Sequence, residues 1–262
     1  GLWIMNADGS RNRFLVKGSN ARWSPDGTRI AYFADGEPKG TQVFVRWMDA
    51  EGATSQITRV SENPSNLSWS PDGRSIAFTS SDPRTDASKD REKKYGDFDV
   101  VDQDHRMSHL YVVDVETKKI RRLTSGAFTV GRFEWSPDST QVAVIAEDPE
   151  RPEGAEEPKQ PPPIVINRYY FKEDYHGWVT DLRKHLYLFE IAGKKATQLT
   201  KGANDEEMPV FSPDGKRIAF VTKRGPEADR ALNWDLYVID ARAGAEEKQV
   251  TTFPGSDNEP GL

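Results

Sequence analysis

The sequence predicts an all-β fold, a partial β-propeller made of four-stranded antiparallel blades, with about four full blades and a leading half-blade. Three observations predict it. A hairpin pattern, Trp69-Ser-Pro-Asp-Gly-Arg-Ser-Ile-Ala-Phe78, recurs at Trp23 to Phe33, Trp135 to Ile145 and Phe211 to Val221. A second unit follows each hairpin: Leu110-Tyr-Val-Val-Asp114 leads to Arg122-Leu-Thr124, Leu186 to Glu190 leads to Gln198-Leu-Thr200, and Leu236 to Asp240 leads to Gln249-Val-Thr251. Weaker copies stand at Val43 to Arg46 with Gln56-Ile-Thr58, and at Leu2 to Asn6 with Phe14-Leu-Val16. Finally, the middle strands are apolar on both faces, as in Leu110, Tyr111, Val112 and Val113. Strands of that kind need neighbours above and below, and radial packing of successive blades supplies both.

Each element follows from local chemistry. In the hairpin turns, Pro25, Pro71, Pro137 and Pro213 fix φ, Asp26, Asp72, Asp138 and Asp214 favour the bend, and Gly27, Gly73 and Gly215 relieve the exit. The third turn carries Ser139 in place of glycine. Runs rich in Leu, Val, Ile and Tyr between Asp, Gly, Lys and Thr read as strands. The 262 residues are expected to form one propeller domain: a half-blade at 1–18, full blades at 20–58, 65–124, 131–200 and 207–253, and an approach to a further blade at 254–262. Five third-and-fourth-strand units against four hairpins predict an incomplete ring whose other blades lie elsewhere in the polypeptide.

Two excursions interrupt this scheme. Ser80 to Ser108 is long and charged, and the basic stretch Lys89 to Lys94, interrupted by acids, reads as a solvated loop. Glu147 to Lys184 begins with acids and prolines that resist regular hydrogen bonding. Its later part, Ile164 to Phe171, reads as an additional strand, with Lys172 to Gly177 reversing the chain before Trp178 and Val179 to give a projecting hairpin. In a four-stranded meander these insertions all fall between second and third strands. They therefore gather on one rim, which makes that rim the candidate surface for domain contact or substrate control.

Composition narrows the function classes. With 36 Lys and Arg against 42 Asp and Glu, the formal charge is −6, which opposes general binding to nucleic-acid phosphates. There are no cysteines, so thiolate catalysis and disulfides are excluded. No 18-residue apolar span is present. The compartment stays open between cytoplasm and periplasm, since cysteine absence fits both.

Chemistry-bearing residues are few. Gly73-Arg-Ser-Ile-Ala77 only approximates a nucleophile elbow, and its Ser75 sits in a repeated turn-to-strand unit. His105 and His109 lack the Glu of a His-Glu-x-x-His zinc motif, and with Arg106 they are expected to anchor the insertion or face a domain interface. Asp97, Asp99, Asp102 and Asp104 lack the Gly and Glu of a calcium loop. No metal and no cofactor is therefore expected. Arg168, Tyr169, Tyr170, His176 and Trp178 form the cluster most suited to substrate or domain contact: Arg can pair with a carboxylate, and the rings can pack a side chain.

The hairpin pattern, the Leu-Tyr-Val-Val-Asp unit and the Arg-Arg-Leu-Thr unit together resemble the propeller repeats of serine peptidases of the prolyl oligopeptidase group. The insertions containing Asp102 to Tyr111 and Asn167 to Phe171 are most similar to the acylaminoacyl-peptidase branch. This resemblance implies a parent enzyme in which the propeller admits and orients peptides for a separate α/β-hydrolase domain carrying a Ser-Asp-His triad. No Gly-x-Ser-x-Gly elbow occurs in the chain, so no catalytic residue is assigned. The partners so implied are the other blades, that hydrolase domain and a peptide substrate, with self-association through exposed blade edges. TolB-like propellers share the Ser-Pro-Asp-Gly motif, which leaves a protein-interaction propeller, or a structural repeat without its own ligand, as the alternatives.

Overall fold

The computed structural model describes residues 1–49, 52–96, 98, 100, 106–126, 128–148, 163–173, 177–193, 195–225, 227–257 and 260. They fall into two compact units, Gly1–Pro83 with His109–Leu123, and Arg84–Ser108 with Thr124–Leu262. The fold is that of a partial β-propeller, with four four-stranded sheets, a leading two-stranded one and a two-stranded hairpin among the described residues.

In the first unit, β1 (Leu2–Ile4) and β2 (Arg13–Val16) form the leading pair. The first blade is β3 (Ser19–Trp23), β4 (Arg29–Gly36), β5 (Gly40–Trp47) and β6 (Thr54–Gln56), neighbours in that order. The second is β7 (Ser65–Trp69), β8 (Ser75–Ser81), β9 (Ser108–Asp114) and β10 (Ile120–Arg122). One core joins these two blades, with Ala31, Phe33, Val43 and Val45 packed against Leu67, Trp69, Ile76 and Phe78.

The second unit holds α1 (Asp86–Tyr95) and two more blades. The third blade is β11 (Val130–Trp135), β12 (Gln141–Glu147), β15 (Lys184–Glu190) and β16 (Ala196–Gln198), and the hairpin of β13 (Lys172–Glu173) and β14 (Gly177–Trp178) projects from its insertion. The fourth is β17 (Glu206–Phe211), β18 (Arg217–Thr222), β19 (Asp235–Asp240) and β20 (Lys248–Gln249). Here Ala143, Ile145, Leu186 and Leu188 meet Phe211, Ile218, Phe220 and Tyr237.

Two hydroxyl devices recur. At the first hairpin, Ser24 Oγ accepts from the Arg29 amide at 2.9 Å and donates to Asp26 Oδ1 at 2.5 Å, while that oxygen accepts from the Thr28 amide at 3.0 Å. Ser70 with Asp72, Ser136 with Asp138, and Ser212 with Asp214 repeat the arrangement. The serine hydroxyl and then the following amide hold Asp26, Asp138 and Asp214 below the usual carboxylate range. At the far end of the blade, the threonine of the Leu-Thr unit receives the third strand's first core amide: Val43 N to Thr58 Oγ1 at 2.8 Å, Leu186 N to Thr200 at 2.9 Å, and Leu236 N to Thr251 at 2.9 Å. These hydroxyls satisfy backbone donors at strand ends, where burial would otherwise leave them unpaired.

Two expectations are corrected. Lys89 to Lys94 lies in α1, not in a loop; Thr85 caps it by accepting the Ser88 amide at 3.1 Å, and Gly96 ends it at φ 92°. Ile164 to Phe171 is not a strand. The paired residues are instead Lys172 with Trp178 and Glu173 with Gly177, so that Lys172, Glu173 and Gly177 pair inside the segment expected to turn while Trp178 stands in the returning strand as expected. Ile164, Val165 and Ile166 are exposed, so apolar character alone did not supply the sheet edge a strand needs.

Three hairpin turns place glycine at a left-handed φ of 68° to 70°, at Gly27, Gly73 and Gly215; the third puts Ser139 there at 62°. A side chain in that region costs about 1 kcal/mol. Ser139→Gly is expected to stabilise the chain by about 0.5 kcal/mol after the added unfolded-state freedom of glycine is counted. Urea titration measures this as a raised midpoint, and a lowered midpoint would contradict it.

Candidate peptide-contact rim

The candidate side chains of the second unit come from three loops: the third-blade insertion, the link from β16 to β17, and the loop from β18 to β19. Arg168 and Tyr170 stand on the insertion, Asp205 immediately before β17, and Lys223, Asp229 and Trp234 between β18 and β19. Together with Lys184 they line a cavity of about 320 Å³.

Arg168 ties this rim together. Its Nε and Nη2 donate to the two carboxylate oxygens of Asp229 at 3.1 and 2.9 Å, and Nη2 also donates to Asp205 Oδ2 at 2.5 Å. Nη1 reaches the Leu182 carbonyl at 3.5 Å. Arg183 Nη1 lies 3.3 Å from Asp229 and 3.5 Å from Asp205, so two guanidiniums and two carboxylates neutralise one another. Burial opposes the charge on Arg168, and the bonds to Asp229 and Asp205 outweigh it; the same bond from Arg168 lowers Asp229. The forked guanidinium suits this bidentate task, which an ammonium would not perform.

Around that neutral knot the lining remains mixed. The Lys184 ammonium is 3.3 Å from Glu207, while the Lys223 ammonium sits 4.8 Å from the centre of the Trp234 ring. Tyr170 supplies a second aromatic wall. Aromatic faces beside both signs of charge can hold an extended peptide by stacking and by charge-assisted hydrogen bonds.

The structure divides the sequence-selected residues. Arg168 and Tyr170 reach the cavity. Tyr169 packs edge-on to Tyr170 and lies under Arg230, whose guanidinium is 5.0 Å from its ring centre. Trp178 stacks on Phe171 at 6.3 Å, with Lys172 over it at 5.1 Å. His109 is fully buried in β9, with Nε2 3.3 Å from Asp82, and burial, then Arg122, lowers its pKa. Arg106 is half-buried just before β9. His105, His176, Asp97, Asp99, Asp102 and Asp104 lie outside the described residues. Among the described residues no group of three or more potential ligands surrounds a metal position.

Sequence reasoning missed two buried groups. His185 occupies the position of His109 one blade later, with Nδ1 2.8 Å from Asp148. The signal was present: His-Leu-Tyr recurs at 109–111 and 185–187, and Asp82 and Asp148 each follow a second strand directly. The other group is Glu206, fully buried beside the cavity residue Asp205. Thr200 donates to it at 3.0 Å and Arg224 at 3.1 Å, but Arg224 is shared with Glu247 at 2.5 Å. Burial therefore prevails and pushes Glu206 up to about 8.

That shift has a definite sign. The folded state holds the Glu206 proton more tightly than the unfolded chain, so its contribution is greatest below the ordinary value of 4.5 and is lost as pH rises through about 8. Glu206→Gln is expected to flatten the decline in stability between about pH 5 and about pH 9. Urea midpoints at those two values measure it; an unchanged pH dependence in the variant would contradict the assignment.

Comparisons with known proteins place the fold. No family profile matches the chain. It is 27% identical over 144 residues to the uncharacterized peptidase YuxL of Bacillus subtilis, a match covering 53% of this chain and 22% of that protein. Among solved structures it is similar to the β-propeller domain of the trilobed protease of Pyrococcus furiosus, with 17% identity, a TM-score of 0.57, and coverage of 95% of this chain and 62% of the other. An acylaminoacyl peptidase of Pyrococcus horikoshii matches with 15% identity, a TM-score of 0.54, and coverage of 86% and 31%. A TolB-like protein of Agrobacterium tumefaciens matches with 17% identity, a TM-score of 0.52, and coverage of 92% and 69%. The chain thus spans about a fifth of the curated peptidase it matches and about a third of the solved acylaminoacyl peptidase. Its fold is that of the propellers found in such peptidases, as the repeats imply.

Proposed function

We propose that the chain is the non-catalytic propeller portion of a serine peptidase, controlling the access of peptides to a separate α/β-hydrolase domain and their orientation there. The observation that carries this reading is the cavity on the insertion rim, where Tyr170, Trp234 and Lys223 stand beside the neutralised Arg168 knot. Such a lining suits main-chain amides and mixed side chains better than it suits a single charged metabolite. The likeness to peptidase propellers supports the same reading. The partners on this view are the hydrolase domain and a peptide, with no cofactor. No helix among the described residues is long and apolar enough to cross a membrane. A second reading, a protein-interaction propeller, is supported by the TolB-like likeness and would need no hydrolase domain.

The test uses the full-length polypeptide and substrates of graded length. Tyr170→Ala with Trp234→Ala is expected to raise KM for peptides about fivefold, the equivalent of about 1 kcal/mol of lost aromatic contact, while a small chromogenic ester is hydrolysed as before. Unchanged KM for every peptide length would remove the access role. Absence of peptide hydrolysis by the full-length protein, with retained binding of a folded protein partner, would favour the second reading.

A further inference from the structure

The charges around the cavity do not cancel. Acids outnumber bases 42 to 36 in the whole chain, yet the cavity lining reverses that balance, with four cationic side chains against three acidic ones. Each of the three acids is already engaged. Asp229 and Asp205 receive Arg168 and Arg183, and Asp205 Oδ1 also accepts the Lys184 amide at 2.9 Å. Glu207 faces the Lys184 ammonium at 3.3 Å. An incoming ammonium or guanidinium therefore meets no uncommitted carboxylate among the described residues of the lining.

Lys223 is the cation left over. Its ammonium has no carboxylate partner among the described residues and rests instead on the Trp234 ring, 4.8 Å from the centre. A ring face attracts a cation without neutralising it, so the positive charge stays available to a ligand. The backbone on both sides of this pair is anchored. With the Asn204 amide in the orientation that satisfies both its ends, Nδ2 donates to the Lys223 carbonyl at 3.0 Å and Oδ1 accepts from Arg224 Nη1 at 2.8 Å. The Trp234 carbonyl accepts the Asp257 amide at 2.8 Å. Arg224 itself is committed to Glu206 and Glu247, at 3.1 and 2.5 Å, and does not compete for a ligand.

We propose that this cavity selects peptides that carry a carboxylate, received by the Lys223 ammonium as a charge-assisted ion pair beside the Trp234 ring. The inference rests on the peptide-access reading and adds the class of peptide to it. In the sequence, Arg168 is the residue suited to pairing with a carboxylate, but Asp205 and Asp229 saturate its guanidinium, which makes it a positioning residue for the insertion. Two parts of a peptide bring the required group, its C-terminus and a Glu or Asp side chain. A lysine, as a point charge with rotatable donors, accepts either.

The test uses the full-length polypeptide and one peptide sequence in four forms, with a C-terminal acid or amide and with an interior Glu or Gln. The form with the favoured carboxylate is expected to show a KM about tenfold below that of its neutral counterpart, the weight of one hydrogen bond to a charged group. Lys223→Gln should abolish that ratio, and Lys223→Arg should keep most of it. The ratio is taken within one protein, so a variant that folds in lower yield still reports it. Dependence on the C-terminal form assigns the terminal carboxylate as the ligand group, and dependence on the interior residue assigns the side chain. Equal KM for all four forms, in a protein whose KM still rises with Tyr170→Ala and Trp234→Ala, would overturn the proposal and leave the access role standing. A ratio that survives Lys223→Gln undiminished would overturn it as well. Absence of any peptide hydrolysis would remove the access reading, and this inference with it.

Discussion

Burial on both faces of the middle strands is the constraint from which this architecture follows. Successive residues of a strand point to opposite sides. In β8, nevertheless, Ile76, Ala77 and Phe78 are all fully buried, and in β18 so are Ile218, Ala219 and Phe220. A sheet with only one covered face would show alternation instead. Each blade therefore depends on its neighbours, and the apolar contacts across one blade pair in each unit are the means by which four small sheets become two cores.

The polar repeats make that packing geometrically repeatable. Where the chain leaves the apolar layer, serine at the hairpin turn and threonine after the outer strand satisfy amides that sheet pairing cannot reach. The aspartate of each turn completes the first arrangement by accepting from the serine hydroxyl and from a following amide. The rims are thereby freed for insertions. In the second unit the insertion is held by Arg168, which gathers Asp205 and Asp229 beneath the cavity while Tyr170, Lys223 and Trp234 stay available at its wall. One charged knot fixes the segment, and another set of groups lines the cavity.

The blades were legible because their signals are local: a Pro-Asp-Gly turn, two apolar runs and a Leu-Thr ending lie within a few residues of each other. The helix α1 was not, because it is charged all round and only Thr85 and Gly96 mark its ends. Arg168 stood out as a candidate, but its acidic partners lie 37 and 61 residues away, and no local pattern announces them. Glu206 was hidden differently. In Asp205-Glu-Glu207 three adjacent acids look alike, and the register shift between Glu207 and Val210, which breaks the alternation of β17, leaves the middle one in the core. The strand assigned to Ile164–Phe171 failed for the converse reason, since an apolar run specifies a strand only where an edge awaits it.

Hydroxyl-radical footprinting of the four tryptophans that mark this packing tests the account most directly, because each ring reports whether a sheet face is covered. In the monomeric chain, Trp3 and Trp23 should oxidise at rates near those of the unfolded protein, with Trp69 and Trp135 strongly protected. Protection of Trp23 equal to that of Trp69, or rapid oxidation of all four, would contradict the two-faced packing from which the fold has been derived.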